Sequence, residues 1–135
     1  KSGLMALSAG LSNDMLLLLE KSATNEYAPL AVDVFCYRLK KYIGSYAAAL
    51  GGLDVLAFTG GIGENAHPIR ARACEGLEFL GIQIDPQRNA AGSGRETLIS
   101  TDAARVKVYV IPTDEEYVIA EETLRLAGGN SRPAA

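Results

Sequence analysis

Two periods of hydrophobicity alternate along this chain, and the places where one gives way to the other mark its elements. The longest helical stretch is residues 26–50. Leu30, Val34, Tyr37 and Lys41 fall on one side of it, Ala31, Phe35, Leu39 and Tyr42 on another, and Ile43, Tyr46, Ala47 and Leu50 continue the pattern. So wide an apolar arc predicts a well-buried helix. Pro29 suits its first turn, and Gly51-Gly52 after Ala47-Ala48-Ala49 closes it. Upstream, Asp14 is placed to cap a short helix carrying Met15 to Leu19. Residues 1–14 otherwise offer only turn signals, at Gly3, Gly10 and Ser12-Asn13-Asp14.

From Asp54 to Thr59 the period changes. This short apolar run reads as a central, buried strand of a parallel sheet. A glycine-rich turn follows, and then Pro68, Ile69, Ala73, Leu77 and Leu80 predict a helix that Gly81 ends. Gly76 lies inside it, at a cost of ~1 kcal/mol relative to alanine. Ile82 to Asp85 reads as a short strand, Pro86 to Gly94 as a polar turn and Thr97 to Ser100 as another strand. Val106, Val108 and Val110 face one way with Lys107 and Tyr109 between them, a strand that Pro112 stops. Thr113 or Asp114 then caps a last helix. Glu115-Glu116 lie in its favourable first turn, and Tyr117, Ile119, Leu124 and Leu126 form its apolar face. Gly128-Gly129 ends the helix, and residues 130–135 read as a loose tail.

This order of helices and strands predicts an α/β layer with two strand–turn–helix junctions able to face one ligand. The first runs Thr59-Gly60-Gly61-Ile62-Gly63-Glu64-Asn65. Such a turn can present backbone N–H groups to a phosphate, or can simply be a turn. Its spacing matches neither G-x-G-x-x-G nor G-x-x-x-x-G-K-[ST], which excludes both of those nucleotide fingerprints. The second junction, Pro112 to Glu116, offers carboxylates that could hold Mg²⁺ or could only complement a helix dipole.

Composition narrows the picture further. A chain of 135 residues, 48% hydrophobic and 21% charged, suffices for one folded domain. Its net charge of −3 gives no general attraction to nucleic acid or to an anionic membrane. No apolar run approaches the ~20 residues of a membrane span, and no secretory signal opens the chain. Cys36 and Cys74 both fall in apolar helical patterns and read as buried thiols, in keeping with a cytoplasmic protein. His67 is the sole histidine, so a zinc site is not expected; a surface or helix-capping role is. The opening Lys1-Ser2-Gly3-Leu4 starts in mid-pattern, as if the chain were cut from something longer.

Several motifs in order resemble the acetate kinase family. They are Ser12-Asn13-Asp14-Met15, Lys40-Lys41-Tyr42-Ile43-Gly44, Ala47 to Asp54, Phe58 to Asn65, Cys74-Glu75-Gly76-Leu77-Glu78 and Ile111 to Glu116. The resemblance covers residues 1 to about 127. It implies the C-terminal part of a ribonuclease-H-like domain of the actin, Hsp70 and sugar kinase superfamily, with residues 128–135 as tail. The implied reaction is reversible transfer of phosphate from ATP to acetate, giving acetyl phosphate and ADP, with Mg²⁺. By the same resemblance Gly60, Gly61 and Gly63 approach the nucleotide, Ile62, Glu64 and Asn65 line the adenosine pocket, Asp14 lies near the ribose or base, and Glu115 helps hold Mg²⁺. The resemblance also implies a homodimer and a missing N-terminal domain that carries the catalytic residues, leaving none here. Leu16 stands where the family usually has arginine, and leucine cannot supply that cationic plane. Propionate and butyrate kinases share parts of these motifs. A non-catalytic nucleotide-binding or dimerisation unit is a further reading.

Overall fold

The computed structural model describes residues 3–92, 94–113 and 115–128, with the side chains of residues 115, 116, 118, 127 and 128 outside the description. Its sequence of elements begins with three helices: α1 (Leu4–Leu7), α2 (Met15–Lys21) and α3 (Ala28–Leu50). The carboxylate of Asp14 accepts the Leu16 N–H at 2.9 Å, the expected cap of α2. Pro29 lies in the first turn of α3, and Gly51, at φ +73°, closes that helix. The four-residue α1 was not foreseen; it buries Leu4 against the same cluster as Met15, Leu18, Ala31, Val32 and Cys36.

A small sheet follows, made of β1 (Val55–Phe58), β2 (Thr97–Leu98) and β3 (Lys107–Val110) in the order β1-β3-β2. β1 runs parallel to β3, with Val55 opposite Lys107 and Phe58 opposite Val110, and β2 is antiparallel. Val106, Val108 and Val110 are fully buried, as their alternation predicted. They form the second core cluster with Cys74, Leu77, Ile82 and Ile99. Full burial of each such side chain is worth ~1.5–3 kcal/mol, so this row anchors the sheet.

The helices around the sheet are α4 (Gly60–Asn65), α5 (His67–Cys74), α6 (Pro86–Ala91) and α7 (Glu115–Gly128), with a 3₁₀ turn at Glu78–Leu80. Several expectations are corrected. β1 is an edge strand, not the central one, and Val55 is 53% exposed. The helix expected from Pro68 to Leu80 ends at Cys74, because Gly76 takes φ +74° and breaks it. Ile82 to Asp85 forms only isolated bridges, Ile82 with Val106 and Ile84 with Ser100. The expected polar turn at Pro86 is α6, capped by Asp85, whose carboxylate accepts the N–H groups of Gln87 and Arg88. Asp-Pro is a cap followed by a preferred first helical residue, a signal that outweighs the polar composition.

The wide apolar arc of α3 does not translate into burial along its whole length. Ala28, Ala31, Val32, Cys36 and Ala47 are buried, whereas Leu30, Tyr37, Tyr42, Tyr46 and Leu50 are exposed, as are Ile119, Leu124 and Leu126 of α7. Periodicity states which residues want cover, and the described residues of this chain supply cover for only part of that surface. Asp114 and the tail from residue 129 lie outside the described residues.

Both cysteines are free and buried. Burial, with a lesser contribution from the Glu78 charge, pushes the Cys74 thiol up to about 12. The folded chain thus keeps a proton that the unfolded chain releases near 9.0. Stability from this group is full below that value and is lost as pH rises toward the folded one, by ~1.4 kcal/mol per pH unit. We expect the urea midpoint to fall less steeply between about pH 8 and about pH 10 in Cys74→Ala than in the parent chain. Parallel slopes would show that this thiol is not the source.

Candidate functional site

β1 and β3 are parallel neighbours, so the turns that follow them leave the sheet at the same end. The Ile111 N–H donates to the Phe58 carbonyl at 2.9 Å, which extends the pairing to the start of both turns. Beyond it, Glu64 Oε1 accepts the Thr113 N–H and the Thr113 hydroxyl, both at 3.0 Å. The two junctions singled out in the sequence therefore meet, and Glu64 is what joins them. These bonds are exposed, so each is worth ~0.5–1.5 kcal/mol at most. Glu64→Ala should speed amide exchange at Thr113 by about fivefold, a loss of ~1 kcal/mol. Unchanged exchange would mean that the latch contributes nothing in water.

The glycine turn is not an open loop but the short helix α4. Thr59 precedes it in extended conformation, with φ −147° and ψ 170°. The three glycines answer to different requirements. Gly60 has φ +71°, where an L side chain is strained. A Cβ on Gly63 would lie 3.1 Å from the carbonyl carbon of Phe58, so its absence lets α4 pack onto β1. A Cβ on Gly61 would meet nothing within 4 Å. Neither backbone conformation nor packing demands glycine there, and the space above it is open to a ligand.

The other expected site residues are distributed around this helix. Asn65 donates its side-chain N–H to the Gly61 carbonyl at 3.0 Å. Ile62 is half-buried against the cluster that holds Met15, Ala66 and Ile69. It also lines an apolar cavity of about 390 Å³ between α3 and β1, together with Tyr42, Tyr46, Phe58 and Thr59. Asp14 is exposed, its carboxylate engaged in capping α2, and Leu16 two residues on is 45% exposed. His67 is exposed at the start of α5, and its carbonyl accepts the Asn89 side-chain amide. Glu115 opens α7, two residues past the Thr113 latch; its side chain lies outside the described residues. Among the described residues no group of three or more His, Cys, Asp or Glu could hold a metal by itself.

Sequence reasoning missed the residue that organises this site. Arg70 on α5 is 1% exposed. Its Nε donates to Asn89 Oδ1 at 2.7 Å, one terminal nitrogen to the carbonyls of Gly63 and Glu64 at 2.8 Å each, and the other to the carbonyls of Asn89 at 2.6 Å and Gly92 at 2.9 Å. A guanidinium has five N–H donors, and all are spent. No carboxylate is among the partners; burial lowers the Arg70 pKa, and five oxygen dipoles compensate the charge. Two of those carbonyls belong to the last turn of α4, where a cation is favoured. The signal in the sequence was spacing: Arg70 follows Ile69 and precedes Cys74 by four residues, which places it on the buried side of α5.

Comparison with known proteins follows the same motifs. Residues 1–121 match the model of the Acetokinase family. The acetate kinase of Bacteroides fragilis is 51% identical over 126 residues, which are 93% of this chain and 31% of that protein. The crystal structure of Porphyromonas gingivalis acetate kinase superposes with a TM-score of 0.82 at 44% identity, covering 92% of this chain and 31% of that one. A propionate kinase from Francisella tularensis gives 0.76 at 38% identity, covering 88% and 30%. The chain thus spans about a third of the length of the curated relatives it matches. These neighbours have the actin, Hsp70 and sugar kinase-like fold, and the α/β assignment made from sequence agrees with it.

Proposed function

The chain belongs to the Acetokinase family, and from that premise we propose that it is the nucleotide-binding portion of an acetate kinase, the enzyme that moves phosphate between ATP and acetate. The observation that carries this reading is the meeting of the two junctions through Glu64 and Thr113, beside the open face of Gly61. In this reading residues 1–127 are one nucleotide-binding unit of the longer enzyme, followed by a tail. Gly60, Gly61 and Gly63 lie against the phosphates and sugar, Ile62, Glu64 and Asn65 beside the adenosine, and Asp14 near the ribose or base. Glu64 does double duty, since its carboxylate already holds Thr113.

Mg²⁺ fits this donor set. The ion is bound through one or two carboxylates, with phosphates and waters completing its shell, so a full protein cage is not needed. Glu115 would hold it directly or through water, next to the residue that Glu64 anchors. When bound, it neutralises phosphate charge.

Four of the chain's thirteen lysines and arginines are directed elsewhere. Arg72 pairs with Asp33, Arg88 with Asp102 and Arg125 with Glu122, while every donor of Arg70 is committed to oxygens of the fold. Phosphoryl transfer needs positive charge at the transferring group. We assign the residues that supply it to the remainder of a longer enzyme, whose docking would also cover exposed Tyr46 and Leu50. By itself the chain is expected to form no acetyl phosphate. The same exposed face favours a second reading, in which the chain is chiefly a homodimerisation unit; ultracentrifugation over a concentration series, with and without ADP, separates the two. The neighbouring propionate kinase keeps a longer acyl acceptor open.

The test is calorimetric titration of the chain with ATP and ADP in the presence of Mg²⁺. We expect binding to the parent chain and its loss in Gly61→Glu, with the fold intact because the new side chain enters open space. Equal binding by both chains would remove the glycine helix from the site.

A further inference from the structure

The five-bonded arginine has a consequence for the nucleotide site. α4 is six residues long, too short to hold its place by its own hydrogen bonds, and none of its residues is fully buried. Its N-terminal end is tied to β1 by chain connectivity and by the close approach of Gly63 to Phe58. Its C-terminal end has carbonyls that the helix itself leaves unpaired. Those of Gly63 and Glu64 are taken by one nitrogen of Arg70, while the opposite nitrogen grips the end of α6 at Asn89 and Gly92. Asn89 in turn fixes the guanidinium plane through Oδ1 and ties itself to the His67 carbonyl through its amide. α6 packs against α5, so the clamp is founded on an element that does not touch the proposed ligand.

We propose that Arg70 is the positioning residue of the nucleotide site, fixing α4 relative to α6 so that the Gly60-Gly61 backbone and the Glu64 carboxylate stand where the nucleotide requires them. The proposal rests on the nucleotide reading above. It assigns the arginine no contact with the ligand: its donors are all used, and it acts through the carbonyls it holds. A lysine at this position keeps the charge and much of the length. It has three donors radiating from one nitrogen in place of a planar fork, and cannot span α4 and α6 together.

The experiment compares the parent chain with Arg70→Lys and Asn89→Ala. It reads ATP affinity by calorimetry with Mg²⁺, deuterium uptake by peptide, and fold by circular dichroism. For Arg70→Lys we expect the dissociation constant for ATP to rise by about tenfold or more, since small misplacements at a binding constellation are costly. Deuterium uptake should quicken over residues 60–66 and stay unchanged over residues 32–43. Asn89→Ala leaves four of the five Arg70 bonds and should show the same local pattern at smaller amplitude. It carries the test alone if the lysine variant does not fold. Wild-type affinity in a folded variant overturns the proposal, and so does faster exchange spread evenly over the chain, which would mark a merely stabilising residue. If the parent chain binds no nucleotide, the nucleotide reading fails. The exchange pattern then still decides whether Arg70 positions α4: quickening confined to residues 60–66 upholds it, and uniform or absent quickening rejects it.

Discussion

Replacing Arg70 with methionine should destabilise the chain by about 3 kcal/mol, the largest effect of any single polar substitution expected here. The substitution removes a charge that is itself expensive to bury, which works in the variant's favour. Against this, it leaves five oxygens without their partner in a site where the arginine was 1% exposed. Each buried acceptor left unpaired costs ~1–3 kcal/mol before relaxation. Water entering the vacated space would recover part of that, hence a net figure well below the sum. Domains of this kind have only ~5–15 kcal/mol in total, so the change is large. Urea denaturation followed by circular dichroism measures it, and a shift of less than about 1 kcal/mol would mean that the five bonds are replaced by water at little cost.

A second large effect is expected at Gly63, and its contrast with Gly61 is the informative part. Gly63→Val places a branched side chain against the backbone of Phe58, where even a Cβ alone would stand at 3.1 Å from the carbonyl carbon. Backbone in a paired strand cannot yield as a flexible side chain can. α4 must therefore move off β1, at ~1–3 kcal/mol. Two residues earlier, Gly61→Ala meets open space at a helical φ and should be neutral or stabilise by ~0.4–1 kcal/mol. The thermal midpoints of the two variants should thus move in opposite directions or by very different amounts. Equal losses would refute the division of labour among the glycines. If the nucleotide reading holds, bulk at Gly61 lowers affinity without lowering stability, whereas bulk at Gly63 lowers both.

Much of the fold, and the position of the two junctions in it, was legible because these parts are local. The Asp14 cap, the Gly51 stop, the alternation of Val106, Val108 and Val110 and the strand–glycine–helix order each depend on a few adjacent residues. The misreadings were also local, but they were conflicts between two signals. At Gly76 helical periodicity competed with a residue that reaches positive φ freely, and the glycine prevailed. At Asp85-Pro86 polar composition competed with capping, and capping prevailed.

By itself, then, the sequence determined the longer helices and the strands of the sheet, the valine row that anchors it, the two junctions and, through several ordered motifs, the family. These follow from periodicity, from the restricted conformations of glycine and proline and from short-range capping, all of which act within a few residues. The tertiary structure alone decided the rest. It placed β1 at the edge of the sheet and left much of the apolar arc of α3 exposed, because burial depends on which surfaces the whole chain can bring together. It brought Glu64 to Thr113 across 49 positions, because parallel pairing of β1 with β3 brings their ends side by side. And it made Arg70 a structural centre by surrounding one guanidinium with oxygens from two helices, α4 and α6, and from Gly92 just past α6, an arrangement that no spacing along the chain encodes.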